Sequence, residues 1–236
     1  MTGKRLLVPL LATAALATGC QTDRRGVEVN LTAVLQTYRE RLDRRPTRAE
    51  VERVVAALPA AQLNDLGVLY EREGNLDRAA WAYQRAIWRD PRLARAYVNL
   101  GNVLRKQGKL EEARFRYRQA IAAEPGNFEA VNNFADLCAE TGRGVEQAVA
   151  LLRPLLDQAG ALRPYGLDTL GWLYHAQGDD LRAAEVLEEG LRAASDGGPE
   201  LRAALHRHLG AVYRSLGRPA EAARHEAQAG GAADKR

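Results

Sequence analysis

The chain has 236 residues, of which 46% are hydrophobic and 27% are charged, a composition typical of a folded protein. Its formal charge is +4, and loss of Lys4 and Arg5 with an N-terminal leader would leave 32 basic and 30 acidic residues, a charge of +2. Because these charges are interspersed, the sequence excludes the concentrated basic surface that nucleic-acid binding requires. Its two cysteines exclude a disulfide framework.

Residues 1–19 have the features of a secretory signal peptide. Lys4 and Arg5 form a basic start, and the apolar run that follows, residues 6–17, is too short to span a membrane comfortably. Residues 16–20 read LATGC, which resembles a bacterial lipobox. The resemblance implies that Cys20 is acylated and becomes the first mature residue. The alternative is an ordinary signal peptide followed by an incidental cysteine.

The residue after Cys20 bears on which membrane holds the lipid. In the lipoproteins that this segment resembles, an aspartate directly after the acylated cysteine retains the protein in the inner membrane. Here that residue is Gln21. The resemblance therefore implies a lipid-anchored protein of the cell envelope, held in the outer membrane and facing the periplasm. Residues 20–29 are polar and are predicted to form a tether.

Residues 30–59 are predicted to form a helical pair. Asn30 is suited to cap the first helix, and Pro46 ends it. Thr47 and Glu50 have the spacing of a capping box, which predicts the start of the second helix, and Pro59 ends that helix. We interpret this pair as a degenerate or capping unit on the repeats that follow.

The next two segments repeat one pattern with a period of 34 residues. The first copy has the landmarks Leu63, Leu66, Gly67, Tyr70, Gly74, Ala79, Tyr83, Ala86 and Pro91. The second copy has Tyr97, Leu100, Gly101, Leu104, Gly108, Ala113, Tyr117, Ala120 and Pro125. The spacing of three and four between large residues predicts amphipathic helices, each with an apolar face that only a neighbouring helix can bury.

This pattern resembles the tetratricopeptide repeat, in which each unit is a pair of antiparallel helices. The resemblance implies an all-α fold, a right-handed superhelical solenoid over residues 60–229. Gly67 is predicted to let a neighbouring helix approach closely, and Gly74 to adopt the left-handed conformation of a turn. The units are predicted at residues 60–93, 94–127, 128–161, 164–195 and 203–229, with a disordered tail over residues 230–236. In the third unit, Pro154 is predicted to kink or shorten the second helix.

No catalytic signature is present in the sequence, so we expect no enzymatic activity, no cofactor and no small-molecule substrate. His206 and His208 lie two residues apart, which directs them away from one another on a helix, and we expect no metal site. His206 is predicted to be a partly buried packing residue, and His208 to face solvent or a groove. Cys138 lies on an apolar stripe and is predicted to be a small buried residue rather than a reactive thiol.

The resemblance implies that the first helices line a concave groove for partner peptides or helices. Asn99 and Asn133 are equivalent residues, 34 apart, and Asn64, Asn102 and Asn132 are predicted on or near the same exposed side. Amides can bond the backbone of an extended peptide, because each offers a donor and an acceptor. Three basic residues further along these helices are predicted to attract acidic groups: Arg72, Arg105 and Lys106. The alternative is that the asparagines serve the helix surface or bond one repeat to the next.

The sequence thus predicts a non-enzymatic adaptor for protein partners, tethered to the envelope membrane by an N-terminal lipid. Repeat lipoproteins of similar kind serve pilus assembly, polysaccharide export and the recruitment of cell-wall hydrolases. The alternative is a structural or oligomerising subunit of an envelope machine, which needs no peptide groove.

Overall fold

A computed structural model describes residues 20–22, 28–30, 40, 49, 55–194 and 198–231. The predicted leader, most of the predicted helical pair at 30–59 and the end of the predicted tail lie outside the described residues. Two short strands, β1 (Cys20–Thr22) and β2 (Glu28–Asn30), pair antiparallel, with Cys20 opposite Asn30. They lie in the segment that the sequence predicts as a tether, except that β2 ends at Asn30, the residue predicted to cap the first helix of the pair at 30–59. Residues 55–57 are helical.

The remaining described chain is all-α and divides into two compact units, the first ending at Glu124 and the second beginning at Pro125. In the first unit, four helices form two antiparallel pairs: α1 (Ala60–Arg72) with α2 (Leu76–Arg89), and α3 (Ala94–Lys106) with α4 (Leu110–Ala123). Helix α3 also packs against both α1 and α2. Stacking of one pair on the next is the arrangement that a solenoid requires.

The second unit contains three helix pairs. They are α5 (Phe128–Thr141) with α6 (Val145–Leu152), α7 (Arg163–Ala176) with α8 (Asp180–Ala193), and α9 (Pro199–Ser215) with α10 (Pro219–Gly231). Helix α5 packs on α7, and α8 packs on α9, so the three pairs form one stack.

Each pair of the first unit closes around a glycine and a tyrosine. A β-carbon at Gly67 would lie 2.5 Å from Cε1 of Tyr83, and one at Gly101 would lie 2.5 Å from Cε1 of Tyr117. Both tyrosines are completely buried. The prediction that glycine permits close helix contact is therefore confirmed. The turn prediction is confirmed as well, because Gly74 has a φ of 77°.

The third pair departs from the regular pattern at its second helix. Helix α6 ends at Leu152, and a 3₁₀ segment, Arg153–Gln158, continues the chain, followed by a second one over Gly160–Leu162. Pro154 lacks a backbone N–H and cannot extend the α-helical hydrogen bonding, which is why the helix is short. The predicted effect of this proline is confirmed.

Two boundaries at the end of the chain differ from the predicted ones. Helix α9 begins at Pro199, four residues before the predicted start of the fifth unit at 203, because proline is favoured in the first turn of a helix. Helix α10 continues through Gly231, past the predicted start of the disordered tail at residue 230.

Candidate functional site

The amides on the first helices of the first unit bond one repeat to the next. Asn99 on α3 donates from Nδ2 to Oδ1 of Asn64 on α1, at 2.9 Å. Asn64 is only 3% exposed, so the predicted exposure of this residue is wrong. Asn99 is half-buried. Helix α3 packs beside α1, and the neighbouring helix satisfies and covers the amide that the sequence placed at the surface.

Asn102 has a structural contact within its own repeat. Its Oδ1 accepts a hydrogen bond of 2.8 Å from the Tyr117 hydroxyl, on the second helix of the pair. Gly101 makes room for this ring beside the helix. Asn102 therefore positions Tyr117, and only part of its half-buried amide faces outward.

The basic residues of the predicted groove occupy different surroundings. Lys106 forms an ion pair of 2.6 Å with Glu71 on α1, and the same carboxylate accepts a 2.8 Å hydrogen bond from the Tyr83 hydroxyl. Burial, with Glu71 adding to it, raises the pKa of Tyr83 far above its ordinary value. Arg72 is exposed and Arg105 is half-buried. Lys106 thus forms an ion pair that links two successive repeats, whereas the Arg72 side chain is exposed at the surface.

Asn132 and Asn133 lie on α5, in the second unit. Both are buried, at 4% and 3% exposure, so their predicted exposure is also wrong. Oδ1 of Asn132 has no hydrogen-bond partner among the described residues. Glu129, one helical turn earlier, is half-buried, and burial raises the pKa of its carboxyl group. No structural observation tests whether the predicted groove residues bind a partner, and that role stays a prediction.

A cluster that the sequence analysis missed lies on the first helices of the second unit. The indole of Trp172 on α7 has the imidazole of His208, from α9, stacked at 4.5 Å and that of His175 tilted at 4.7 Å. Nδ1 of His208 bonds Asp168 at 2.7 Å, and Nδ1 of His175 bonds Asp180 at 2.5 Å. The repeat register could have predicted this position, because Trp172 directly follows Gly171 just as Asn102 directly follows Gly101.

Asp180 connects this cluster to the end of α9. Its second carboxylate oxygen accepts a hydrogen bond from the Ser215 hydroxyl. Burial acts to raise the pKa of Asp180, but the hydrogen bonds from Ser215 and His175 outweigh it, so the pKa lies below its ordinary value.

A second pair of histidines joins α9 to α10. Nδ1 of His206 lies 2.9 Å from Nδ1 of His225, and the His225 ring stacks on Tyr213. His206 is 6% exposed, which confirms that it packs and makes it more deeply buried than the sequence predicted. The Tyr213 hydroxyl donates to Glu188, and burial together with this bond raises the pKa of Tyr213 to about 12. The predicted burial of Cys138 is also confirmed.

The described part of the chain lacks two further features. No group of three or more His, Cys, Asp or Glu side chains there is placed to hold a metal ion. None of the described helices has the length and apolar character needed to cross a membrane.

The helix pairs, with their glycine–tyrosine contacts and inter-repeat polar bonds, give this protein the fold of tetratricopeptide-repeat proteins. The family model described as the tetratricopeptide repeat matches residues 94–127, which correspond to α3 and α4 and the turn after them. No curated protein sequence matches the chain.

Solved structures of repeat proteins are similar to this chain at low sequence identity. PilW, described as a type IV pilus biogenesis factor, superposes with a TM-score of 0.66 at 18% identity, over 75% of this chain and 79% of its own. PilF of Pseudomonas aeruginosa gives 0.62 at 21% identity, over 75% and 78%. YrrB, described as a repeat protein with an unusual peptide-binding site, gives 0.56 at 17% identity, over 75% and 88%. At these identities the similarity establishes the fold.

Proposed function

We propose that this protein is a non-enzymatic adaptor of the bacterial cell envelope, which binds segments of partner proteins on the faces of its first helices. The observation that carries the proposal is the tetratricopeptide-repeat fold itself, with polar side chains aligned in register on successive first helices. Asn99 and His208 lie at the same position of different repeats, and both are only partly covered. Such side chains offer hydrogen bonds to the backbone of an extended segment.

The similar solved structures support a role in binding protein segments, and their descriptions favour pilus assembly as the process served. YrrB is described as having a peptide-binding site, and PilW as a pilus biogenesis factor. Pilus assembly is accordingly the first process to test, ahead of polysaccharide export and hydrolase recruitment.

A capture experiment tests the adaptor proposal. Tagged full-length protein is crosslinked in envelope preparations beside the Asn99→Ala, Asn133→Ala double variant, and captured proteins are identified by mass spectrometry. Because Asn99 bonds the buried Asn64, the double variant also loses stability. The matched control is Ala86→Gly with Ala120→Gly, two buried second-helix positions where glycine costs about 1 kcal/mol each. A partner lost from the asparagine variant and kept by the control supports the adaptor; equal partner sets contradict it.

The membrane anchor is part of the proposal and has its own test. Acylation of Cys20 predicts incorporation of a palmitate analogue, which Cys20→Ser abolishes while releasing the protein from the membrane fraction. Gln21→Asp should move the anchored protein from the outer to the inner membrane. If the wild-type protein does not incorporate the palmitate analogue, the anchor is contradicted, and residues 1–19 are an ordinary signal peptide.

The structural-subunit alternative has an observation of its own. Trp88 on α2 is 70% exposed and Phe115 on α4 is 56% exposed, although both are large and apolar. Both belong to second helices, away from the first-helix amides. Residues of this kind are enriched in protein interfaces. Under this alternative, Trp88→Ser with Phe115→Ser disrupts assembly, and the asparagine variant does not.

A further inference from the structure

The outward sides of α2 and α4 carry aromatic and arginine side chains. On α2, Trp81, Arg85 and Trp88 lie four and three residues apart, which places them on one side of the helix. The residues that pack inward lie on the opposite side and are completely buried: Ala79, Ala82, Tyr83 and Ala86. On α4, Phe115 holds the position of Trp81, 34 residues later, and Arg118 follows it by three. Equivalent positions of stacked repeats lie on the same side of the stack, so these five residues form one surface, the aromatic–arginine face.

This face is open to solvent. Trp88 is 70% exposed and Phe115 is 56% exposed, and only one other large apolar side chain among the described residues is exposed. Arg85 and Arg118 are exposed as well, and neither guanidinium forms a hydrogen bond or ion pair with a described residue. The guanidinium of Arg85 instead lies 5.9 Å from the centroid of the Trp81 ring. Both the rings and the charges are therefore available to a partner.

Positive charge is concentrated on these two helices. Residues 78–89 and 113–123 contain six arginines and no acidic residue, and the acidic residues of α2 and α4 lie in their first turns. Helix α8, a second helix of the other unit, contains four acidic and two basic residues. The second helices of the first unit thus present a positive surface, which attracts an anionic partner.

The composition of the face favours a membrane as this partner. A second copy of the chain does not suit it, because a two-fold contact would bring its arginines against one another. Anionic lipid headgroups pair with guanidinium groups, and tryptophan rings lie at the boundary between headgroups and hydrocarbon. The anchor proposed at Cys20 lies 40 residues before Ala60, the first residue of α1, so the first unit is the one next to the lipid along the chain.

We propose that the aromatic–arginine face rests on a membrane surface that contains anionic lipid. The rings of Trp88 and Phe115 enter the headgroup boundary, and Arg85 and Arg118 pair with lipid phosphates. The first helices, on which the adaptor binds its partners, are left free by this contact. The inference rests on the proposed membrane location and adds a second attachment to the N-terminal lipid.

Quenching of tryptophan fluorescence by brominated lipid tests the contact at the residues themselves. The chain contains three tryptophans, so full-length Trp172→Phe protein keeps only Trp81 and Trp88 as reporters. It is incorporated into vesicles of phosphatidylglycerol and phosphatidylcholine, and vesicle-bound protein is collected by flotation. With bromine on the phosphatidylcholine acyl chains, emission is expected to fall by about twofold, because interfacial rings reach the acyl boundary. Equal emission from brominated and unbrominated vesicles overturns the proposal.

Charge reversal tests the role of the arginines. Arg85→Glu with Arg118→Glu should abolish most of the quenching, because anionic lipid repels the introduced carboxylates. The matched control is Arg192→Glu with Arg224→Glu, which changes the net charge equally at exposed positions on α8 and α10 and should leave the quenching unchanged. Equal quenching in the two double variants overturns the proposal. If circular dichroism shows that the first variant does not fold, Arg85→Gln with Arg118→Gln takes its place, and this variant should also reduce the quenching.

A protein partner on this face would give a different result. In that case Trp81 and Trp88 would be shielded from the aqueous quencher acrylamide, while brominated lipid would leave their emission unchanged. This outcome overturns the membrane contact and supports the structural-subunit alternative.

Failure of the anchor is also distinguishable from failure of the face. A protein that incorporates the palmitate analogue at Cys20 but is not quenched keeps its anchor and lacks the proposed contact. A protein that is not labelled, yet floats with the vesicles and is quenched, supports the contact without the anchor. A protein that does not float with the vesicles contradicts the contact.

Discussion

The contact between a glycine and a tyrosine ring sets the spacing of the helices in each pair of the first unit. The ring of Tyr117 lies against Gly101, and its hydroxyl donates to Asn102, the next residue along α3. The ring of Tyr83 lies against Gly67, and its hydroxyl donates to Glu71 of α1. One side chain thus combines apolar packing with a hydrogen bond at the edge of the contact, which stabilises both the separation and the register of the two helices.

Substitution of Gly101 tests this packing. Gly101→Ala places a β-carbon where the Tyr117 ring lies, so we expect a loss of about 1–3 kcal/mol in the free energy of unfolding, and a larger loss for Gly101→Leu. Urea denaturation followed by circular dichroism measures the change. The control is Gly126→Ala, because nothing lies within 4 Å of that position. An unchanged urea midpoint for Gly101→Leu would show that the repeat register is wrong.

At the scale of elements, α9 and α10 are joined by a titratable contact. The pKa of His206 is lowered by burial and by the nearby His225 and Arg202. The pKa of His225 is lowered by burial, with Glu188 and Glu221 acting in the opposite direction. One ring must donate to the other across 2.9 Å, which requires at least one neutral imidazole.

Stability should therefore depend on pH. In the unfolded chain these histidines bind protons near pH 6.5, whereas the folded pair resists protonation. The stabilisation is complete above pH 6.5 and is lost as the pH falls from there through the lowered pKa values. We expect a lower urea midpoint at pH 5 than at pH 7.5, and His225→Gln, which does not titrate, should reduce the difference. An identical pH dependence in the variant would contradict this role of the pair.

For the whole molecule, the last helix pair has the character of a cap. Among residues 219–230 of α10, only Ala222 is buried, and the remaining side chains are half-buried or exposed. Helix α9, in contrast, covers α8: a β-carbon at Gly190 would lie 2.9 Å from Cδ2 of Leu205. Repeat proteins need such a terminal unit, since each internal pair has an apolar face that its neighbour must cover.

Removal of residues 199–236 tests this role. The deletion exposes the face of α8 that packs on Leu205, so we expect a lower thermal midpoint and association visible by light scattering. Removal of residues 232–236 alone is the control and should leave both unchanged. A shortened protein that stays monomeric and equally stable would contradict a capping function for the last pair.

The repeated order of amino acids was sufficient to predict the helix pairs, the glycine contacts and the shortening at Pro154. These depend on spacing within one repeat, and the period of 34 residues makes the glycine prediction twice, at Gly67 and Gly101. Short-range backbone preferences and the need to bury an apolar face act locally, which is why they can be inferred without coordinates.

Only the tertiary structure decided which polar side chains are satisfied and which face outward. The partner of Asn64 lies 35 residues away, and that of Asp168 lies 40 residues away. The same helical position holds Asn99, His208 and Thr169, and the preceding acceptor is bonded by the first two and not by the third. Asn64 and Asn132 are buried by the helices packed around them. The exposure of a side chain depends on the neighbouring repeats as well as on its own, so it cannot be inferred from one repeat alone.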